Sequence, residues 1–439
     1  MIKRSLKYIL IFFLLVFLVF TRSFAGIYIF GYRIGEFVVL AGFLSSIYFL
    51  IINRKYFDKT KLKNSITAHR YLLFSFFLVI FVNPPTSFDT YVFKSSSYFW
   101  MIGYIYLGWH LSFFINFKNL KNYISLLLIP IYFLQSNLFT NIAVIYECKN
   151  CTENDLSNFS NIILKFFTNY SDKFEPYKGT DMLIVFVISI FLLNRIKNYK
   201  FSNYIYFSFI SGTYLPFFML KSRAAAIAAA IFILYEIIIL KKNYFKTKHF
   251  FIFLSIFSIS ILLSSSFLIN KNINFSDSST DLEILFSSRN SIEGDKPFIY
   301  IENSKIYSSD GNLNWRLQIW QETITDLQQD KKLLFGNGYN DKIPSMKLQS
   351  RLGQDGLNEN VHNFLINVIA RGGIFHLCLF LIFKYFLIKE SNNFTNTKYL
   401  LSFFIPLLFS SLFDASFENV QFPMFYYLFI GYIFAQEEG

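Results

Sequence analysis

Three polar residues each border an apolar run and carry side chains able to do chemistry. Arg223 lies in Lys221-Ser222-Arg223-Ala224-Ala225-Ala226, Arg316 in Trp315-Arg316-Leu317, and His362 in Asn358-Glu359-Asn360-Val361-His362-Asn363. A guanidinium presents a fork of donors that matches phosphate oxygens, and the free N–H groups of a helix start add to it. Ser222 and Arg223 stand at such a start. A helix N-terminus disfavours the imidazolium, so His362 is expected to be neutral near pH 7, as a general base must be; Asn358 or Asn360 is the expected cap. Two cations and one neutral base are the minimum set for moving a group off a lipid diphosphate, because the leaving group needs its charge balanced and the attacking hydroxyl must lose a proton. Asn363 and Arg371 are supporting candidates; Arg371 lies either inside the apolar run that follows His362 or at its true start, and an intramembrane arginine is a functional candidate by default. Each residue also has a plain alternative: a snorkelling interfacial cation for Arg223, a solvated helix face for Arg316, a structural imidazole for His362. No Asp-rich metal motif accompanies them, and neither a metal nor a cofactor is expected.

The elements that position these residues are membrane helices. Of 439 residues 54% are hydrophobic, 59 are Phe and 29 Tyr, and only 16% are charged, against roughly 25% in soluble domains. Apolar segments near 5–21, 34–52, 70–83, 98–115, 121–136, 181–194, 203–219, 223–240, 249–269, 364–388, 399–413 and 422–436 are long enough to approach the span of the hydrocarbon layer. They lack the period-2 alternation of a membrane barrel. The expected fold is therefore all-α, a polytopic integral membrane protein of about twelve helices forming a single membrane domain over 1–439. The net charge of +13 is distributed unevenly. Alternate connections hold twenty-one Lys and Arg, whereas the short connections of the other set hold only Arg22, Arg33, Lys94, Lys221 and Arg223. By the positive-inside rule both termini face the cytoplasm, and Arg223, Arg316 and His362 all fall near the opposite surface. The basic balance thus reports orientation in a lipid bilayer and gives no support for a nucleic-acid partner.

Two longer segments lie outside, 137–180 and 270–360. The first carries Cys148 and Cys151, a lone CxxC without the second pair that zinc requires, and so a candidate local disulfide in an extracytoplasmic loop. The second begins with the linker-like Ser276-Asp277-Ser278-Ser279-Thr280-Asp281. It then turns periodic: Leu313, Leu317, Trp320, Ile324 and Leu327 recur at helical spacing, ending before the turn signal Gly336-Asn337-Gly338. Arg316 sits at the edge of this stripe, so packing of the helix over the bundle would aim it at the rim of a cleft. At the N-terminus, Lys3, Arg4 and Lys7, the run Tyr8 to Phe20, and Ser23-Phe24-Ala25 read either as a first span or as a signal peptide with a small-x-small cleavage site.

With these pieces in place the sequence resembles the O-antigen ligase family, which includes O-antigen polymerases and belongs to the polytopic glycosyltransferases of the GT-C type. The resemblance rests on Ser222-Arg223, on Trp315-Arg316-Leu317-Gln318-Ile319-Trp320 through Leu334-Phe335-Gly336-Asn337-Gly338-Tyr339, and on Val361-His362-Asn363-Phe364-Leu365 followed by Gly372-Gly373-Ile374. It covers roughly residues 205–390. It implies a metal-independent, inverting glycosyltransferase of the bacterial plasma (inner) membrane that moves a glycan from undecaprenyl pyrophosphate to an acceptor sugar hydroxyl, on a glycan or lipid A-core, at the periplasmic face. Arg223 and Arg316 would hold the pyrophosphate and His362 would activate the hydroxyl. A repeat-unit polymerase fits the same motifs. A lipid-linked oligosaccharide transporter or flippase would be expected to show an internal repeat, and none is visible. His376, where small or aliphatic residues are usual, and Lys221 before Ser222 depart from the family pattern.

Overall fold

The computed structural model describes residues 2–48, 62–114, 124, 126–136, 159–171, 178–194, 201–243, 247–273, 297–348, 351, 359–391 and 400–436. Cys148, Cys151, Asn358 and the Ser/Asp-rich stretch at 276–281 lie outside them. Every one of the twelve apolar segments contains helix. Five helices are long and apolar enough to cross a membrane unaided: Tyr8–Ala25, Lys63–Val82, Arg223–Leu240, His249–Leu268 and Phe364–Glu390. Shorter apolar helices, including Ile34–Ile47, Gly179–Asn194, Leu400–Ser411 and Gln421–Ala435, pack among them. The helical class expected from the sequence holds, with two small antiparallel hairpins added outside the long helices.

One boundary differs from the hydropathy pattern. The segment expected at 70–83 is the helix Lys63–Val82. Its polar first turn is capped from a distant element, since the Glu390 carboxylate accepts from the backbone N–H of Asn64 (2.6 Å) and of Ser65 (3.1 Å). A cap supplied across 326 residues satisfies orphan helix donors without leaving any local signal.

The first helix, Ile2–Ala25, is built into the bundle. Phe17 is fully buried and meets Phe24 and Phe425 edge-on at 5.4 and 5.5 Å. The helix kinks at Thr21, and beyond the kink Arg22 is buried against Asp181 while the Ser23 carbonyl accepts from the Ser171 hydroxyl at 2.7 Å. The stretch that resembles a cleavage site is therefore a packed corner of the fold. Elsewhere the abundant Phe and Tyr interlock. Phe403 stacks on Tyr426 at 5.4 Å, and Phe417 meets Tyr426 and Phe364, each at 4.8 Å. In lipid, where no hydrophobic drive joins helices, such dispersion contacts carry the packing.

The longer of the two segments expected outside, 270–360, supplies a hairpin and a helix. Strands Ile299–Glu302 and Lys305–Ser308 pair antiparallel about Asn303 and Ser304, both at positive φ, the geometry of a tight hairpin turn. The loop helix Gly311–Gln329 follows, capped by Asp310, whose carboxylate accepts from Leu313 N–H at 2.9 Å. Its inner face differs from the expected stripe. Ile319, Thr323 and Leu327 are buried, while Leu313, Leu317 and Ile324 are only half-buried. The reason is that two sides are covered. Gln318 and Gln321 donate to the Ile306 carbonyl of the hairpin, and the opposite side packs Ile319, Trp315 and Trp320 on Ile343, Met346, Val361 and Ala370. Arg316, three residues before Ile319, is thereby on the side that faces the bundle.

The chain then returns to the long helix Phe364–Ser391, which breaks at Gly373 (φ 74°, ψ −178°). The break opens two helix turns to the loop: Asn337 N–H donates to the Ala370 carbonyl, Gly338 N–H to that of Arg371 and Ile374 N–H to that of Leu333, at 2.8 to 3.0 Å. A Cβ on Gly373 would come within 2.0 Å of the Leu334 carbonyl oxygen, in a backbone region nearly reserved for glycine. Gly373→Ala is accordingly expected to cost on the order of 3 kcal/mol or more from strain and clash together. Purification in detergent should show a lowered unfolding temperature and poor membrane accumulation.

Candidate active site

The loop helix gathers the sequence candidates around His362. The Trp320 indole N–H donates to the Val361 carbonyl at 2.7 Å, and the Trp315 ring lies 5.1 Å from the His362 ring. Arg316 sits between those two tryptophans on the same face. His362 itself has φ 52°, a left-handed conformation that costs a non-glycine residue roughly 1–2 kcal/mol and that these contacts hold in place. Asn363 follows as the true cap of the long helix, its side-chain oxygen accepting from Ile366 N–H at 3.1 Å. The cap expected at Asn358 or Asn360 is thus displaced to Asn363, because the left-handed turn at His362 ends the extended chain there.

Arg223 reaches the same assembly from the opposite side. Its guanidinium pairs with Asp310 at 2.7 Å, the residue that caps the loop helix, and the side chain remains 57% exposed. Ser222 caps the Arg223 helix, its hydroxyl accepting from Ala225 N–H at 3.4 Å. From Asp310 to Arg316 is six residues, about 9 Å along a helix axis at 1.5 Å per residue. The two arginines are therefore joined through one element, Arg223 pairing with the residue that caps the helix on which Arg316 sits.

Residues that sequence reasoning passed over complete the arrangement. Thr180 donates to the Asp414 carboxylate at 2.9 Å. One residue on, buried Asp181 takes Arg22 at 3.1 Å and Gln421 at 3.0 Å. Burial pushes the His362 imidazole down to about 4; the Asp414 carboxylate opposes this, while the charges of Arg316 and Lys178 push the same way as burial. Burial raises the Asp414 carboxyl, but Lys178, Arg22 and His362, with the Thr180 hydrogen bond, outweigh it and leave Asp414 below the usual carboxylate range. The result is a neutral imidazole beside an ionised carboxylate, flanked by cations. That combination can take a proton from a hydroxyl and balance negative charge on a departing group. Asp414 and Glu418 are the two acids between the apolar runs 399–413 and 422–436, so an acid at this end of the bundle was legible in principle, but not which of the two acts on His362.

Arg371 is placed elsewhere. It is buried, with its guanidinium donating to the carbonyls of Gly338 and Asp341 and to the Tyr91 hydroxyl at 2.9 Å. It fixes the returning loop beside the helix break. His376 is also buried, bonded to Ser75 at 2.8 Å and, at 3.4 Å, to Tyr98, which in turn meets Tyr339 at 3.1 Å. The imidazole that departs from the aliphatic pattern thus ties two bundle helices to the loop. Lys221 lies over the Phe217 ring at 5.9 Å.

The model of the O-antigen ligase family matches residues 206–381. The chain carries the domain of the O-antigen ligase family. The match spans Ser222, Arg223, Arg316, His362, Asn363 and Arg371. Lys178, Thr180 and Asp414 lie outside the matched part of this O-antigen ligase domain and are joined to it by the fold. A comparison with curated proteins gives no significant match. The domain and the apolar helices together define a multi-pass membrane protein of O-antigen ligase-like surface polysaccharide biosynthesis.

Proposed function

We propose that the protein is a glycosyltransferase of the periplasmic face of the bacterial inner membrane that transfers a finished glycan from undecaprenyl pyrophosphate to an acceptor sugar hydroxyl. The observation that carries this reading is the placement of His362 and Arg316 on one assembly with Arg223, inside the matched domain. The acceptor oxygen attacks the anomeric carbon, the bond from that carbon to the diphosphate oxygen breaks on the opposite face, and the configuration inverts. The acceptor proton passes to His362, and the diphosphate leaves with its charge held by Arg223 and Arg316, cations that do the work a metal does in other transferases. Arg223 keeps free reach for this, since Asp310 engages one of its nitrogens and the side chain is over half exposed.

A polymerase that moves the growing glycan onto the next lipid-linked unit would use the same donor chemistry. Deletion in the native host followed by gel profiling of the surface polysaccharide separates the two. For a ligase, long chains disappear from the surface and accumulate on the lipid carrier. Single-repeat products on the surface would replace this reading by the polymerase, and an unchanged profile would remove both.

A further inference from the structure

Lys178 is the remaining cation beside His362. It caps the helix Gly179–Asn194, its carbonyl accepting from Asp181 and Met182 N–H at 3.1 and 3.2 Å. The two residues after it bracket the site. A Cβ on Gly179 would come within 2.7 Å of the Ser222 Cβ, so the backbone there lies directly against the start of the Arg223 helix. Thr180 then bonds Asp414. Lys178 therefore stands between Ser222-Arg223 on one side and Asp414-His362 on the other, and its charge acts on both His362 and Asp414. The lysine is half-buried, and among the described residues no hydrogen bond or ion pair engages its ammonium.

Charge balance gives this ammonium a task. Asp310 offsets Arg223 and Asp414 offsets one further cation, so without Lys178 the assembly is close to neutral and binds a diphosphate with little net attraction. With Lys178 it is positive. Resting on the donor chemistry proposed above, we propose that Lys178 is a third diphosphate-binding residue, bridging the phosphate held by Arg316 beside His362 and the one held by Arg223. A diphosphate spans both positions and a monophosphate only one, so Lys178 makes the site select diphosphate over monophosphate. Its proximity to His362 also has a consequence for timing. Burial is the main cause of the neutral imidazole; the ammonium, after Arg316, adds to it, and a bound diphosphate offsets that added part when the base is needed.

Direct binding to the purified full chain in detergent, read with geranyl diphosphate and geranyl monophosphate as probes, tests this without requiring turnover. The parent is expected to prefer the diphosphate. In Lys178→Met the diphosphate Kd should rise at least tenfold and the monophosphate Kd much less, so the preference shrinks. Lys178→Arg, which keeps the charge, should restore the preference to within about threefold of the parent, whatever Lys178→Met does to folding. Unchanged preference in Lys178→Met overturns the proposal, as does a Lys178→Arg variant that inserts normally yet binds diphosphate no better than monophosphate. Failure here leaves the transferase reading intact, because that reading stands or falls on transfer by His362 variants.

Discussion

His362→Ala is expected to lower glycan transfer by about 10² to 10⁴-fold, the usual worth of a positioned general base, while the protein still inserts. Alanine also changes the backbone, since residue 362 sits at φ 52°, where alanine is penalised. His362→Asn isolates the chemistry, because asparagine tolerates the left-handed region yet cannot take a proton near neutral pH. Both variants should be inactive, and His362→Asn should retain the Trp320 to Val361 hydrogen bond that seats the loop helix, so that binding of a diphosphate probe survives in it. Arg316→Ala should differ in kind: it removes charge stabilisation of the leaving group and weakens both the probe and the transfer. Wild-type transfer by His362→Asn would transfer the role of base to another group and leave His362 as a strut beneath Trp315.

Most of the helical scaffold was legible because lipid imposes a single demand, long apolar runs, and the chain meets it with Phe, Ile and Leu. The distribution of Lys and Arg led to the expectation that Arg223, Arg316 and His362 lie near one surface, and the fold gathers all three around the loop helix. What remained hidden depends on partners far away in the chain. The cap on Lys63–Val82 comes from Glu390, and the loop helix is turned by a hairpin whose strands carry no more signal than three exposed Ile and two half-buried Tyr. The stripe Leu313, Leu317, Trp320, Ile324, Leu327 is a real helical pattern, but a helix covered on two sides buries more than its most apolar face, and Thr323 goes in while Leu313 stays half out. Arg371 shows the converse. An arginine inside an apolar run invites a functional reading, and the fold engages it with loop carbonyls made available by the break at Gly373. Asp414 and Lys178 were missed because neither belongs to a motif and each has other charges near it in the sequence; only the contacts of Thr180 with Asp414 and of Gly179 with Ser222 show that they belong to the same assembly.

Asp414→Asn tests the electrostatics of that encounter. In the free protein His362 is neutral above about pH 4, so the acidic limb of kcat/KM is expected near that value rather than near 6.5. An imidazole so depressed is a weak base, and the Asp414 carboxylate is the one neighbouring charge that strengthens it. Removing that charge lowers the His362 pKa further. The limb should move to still lower pH, and the plateau rate should fall by roughly tenfold or more as the base weakens. A bound diphosphate adds negative charge beside the imidazole and raises its pKa, so in the parent the limb of kcat should lie at higher pH than that of kcat/KM. The separation should persist in Asp414→Asn, because it originates in the donor, while both limbs shift down together. Lys178→Met should shift the kcat/KM limb the opposite way, since its charge depresses His362. A limb that rises in Asp414→Asn, or a plateau rate equal to the parent's, would mean that the carboxylate serves the fold through Thr180 and takes no part in preparing the base.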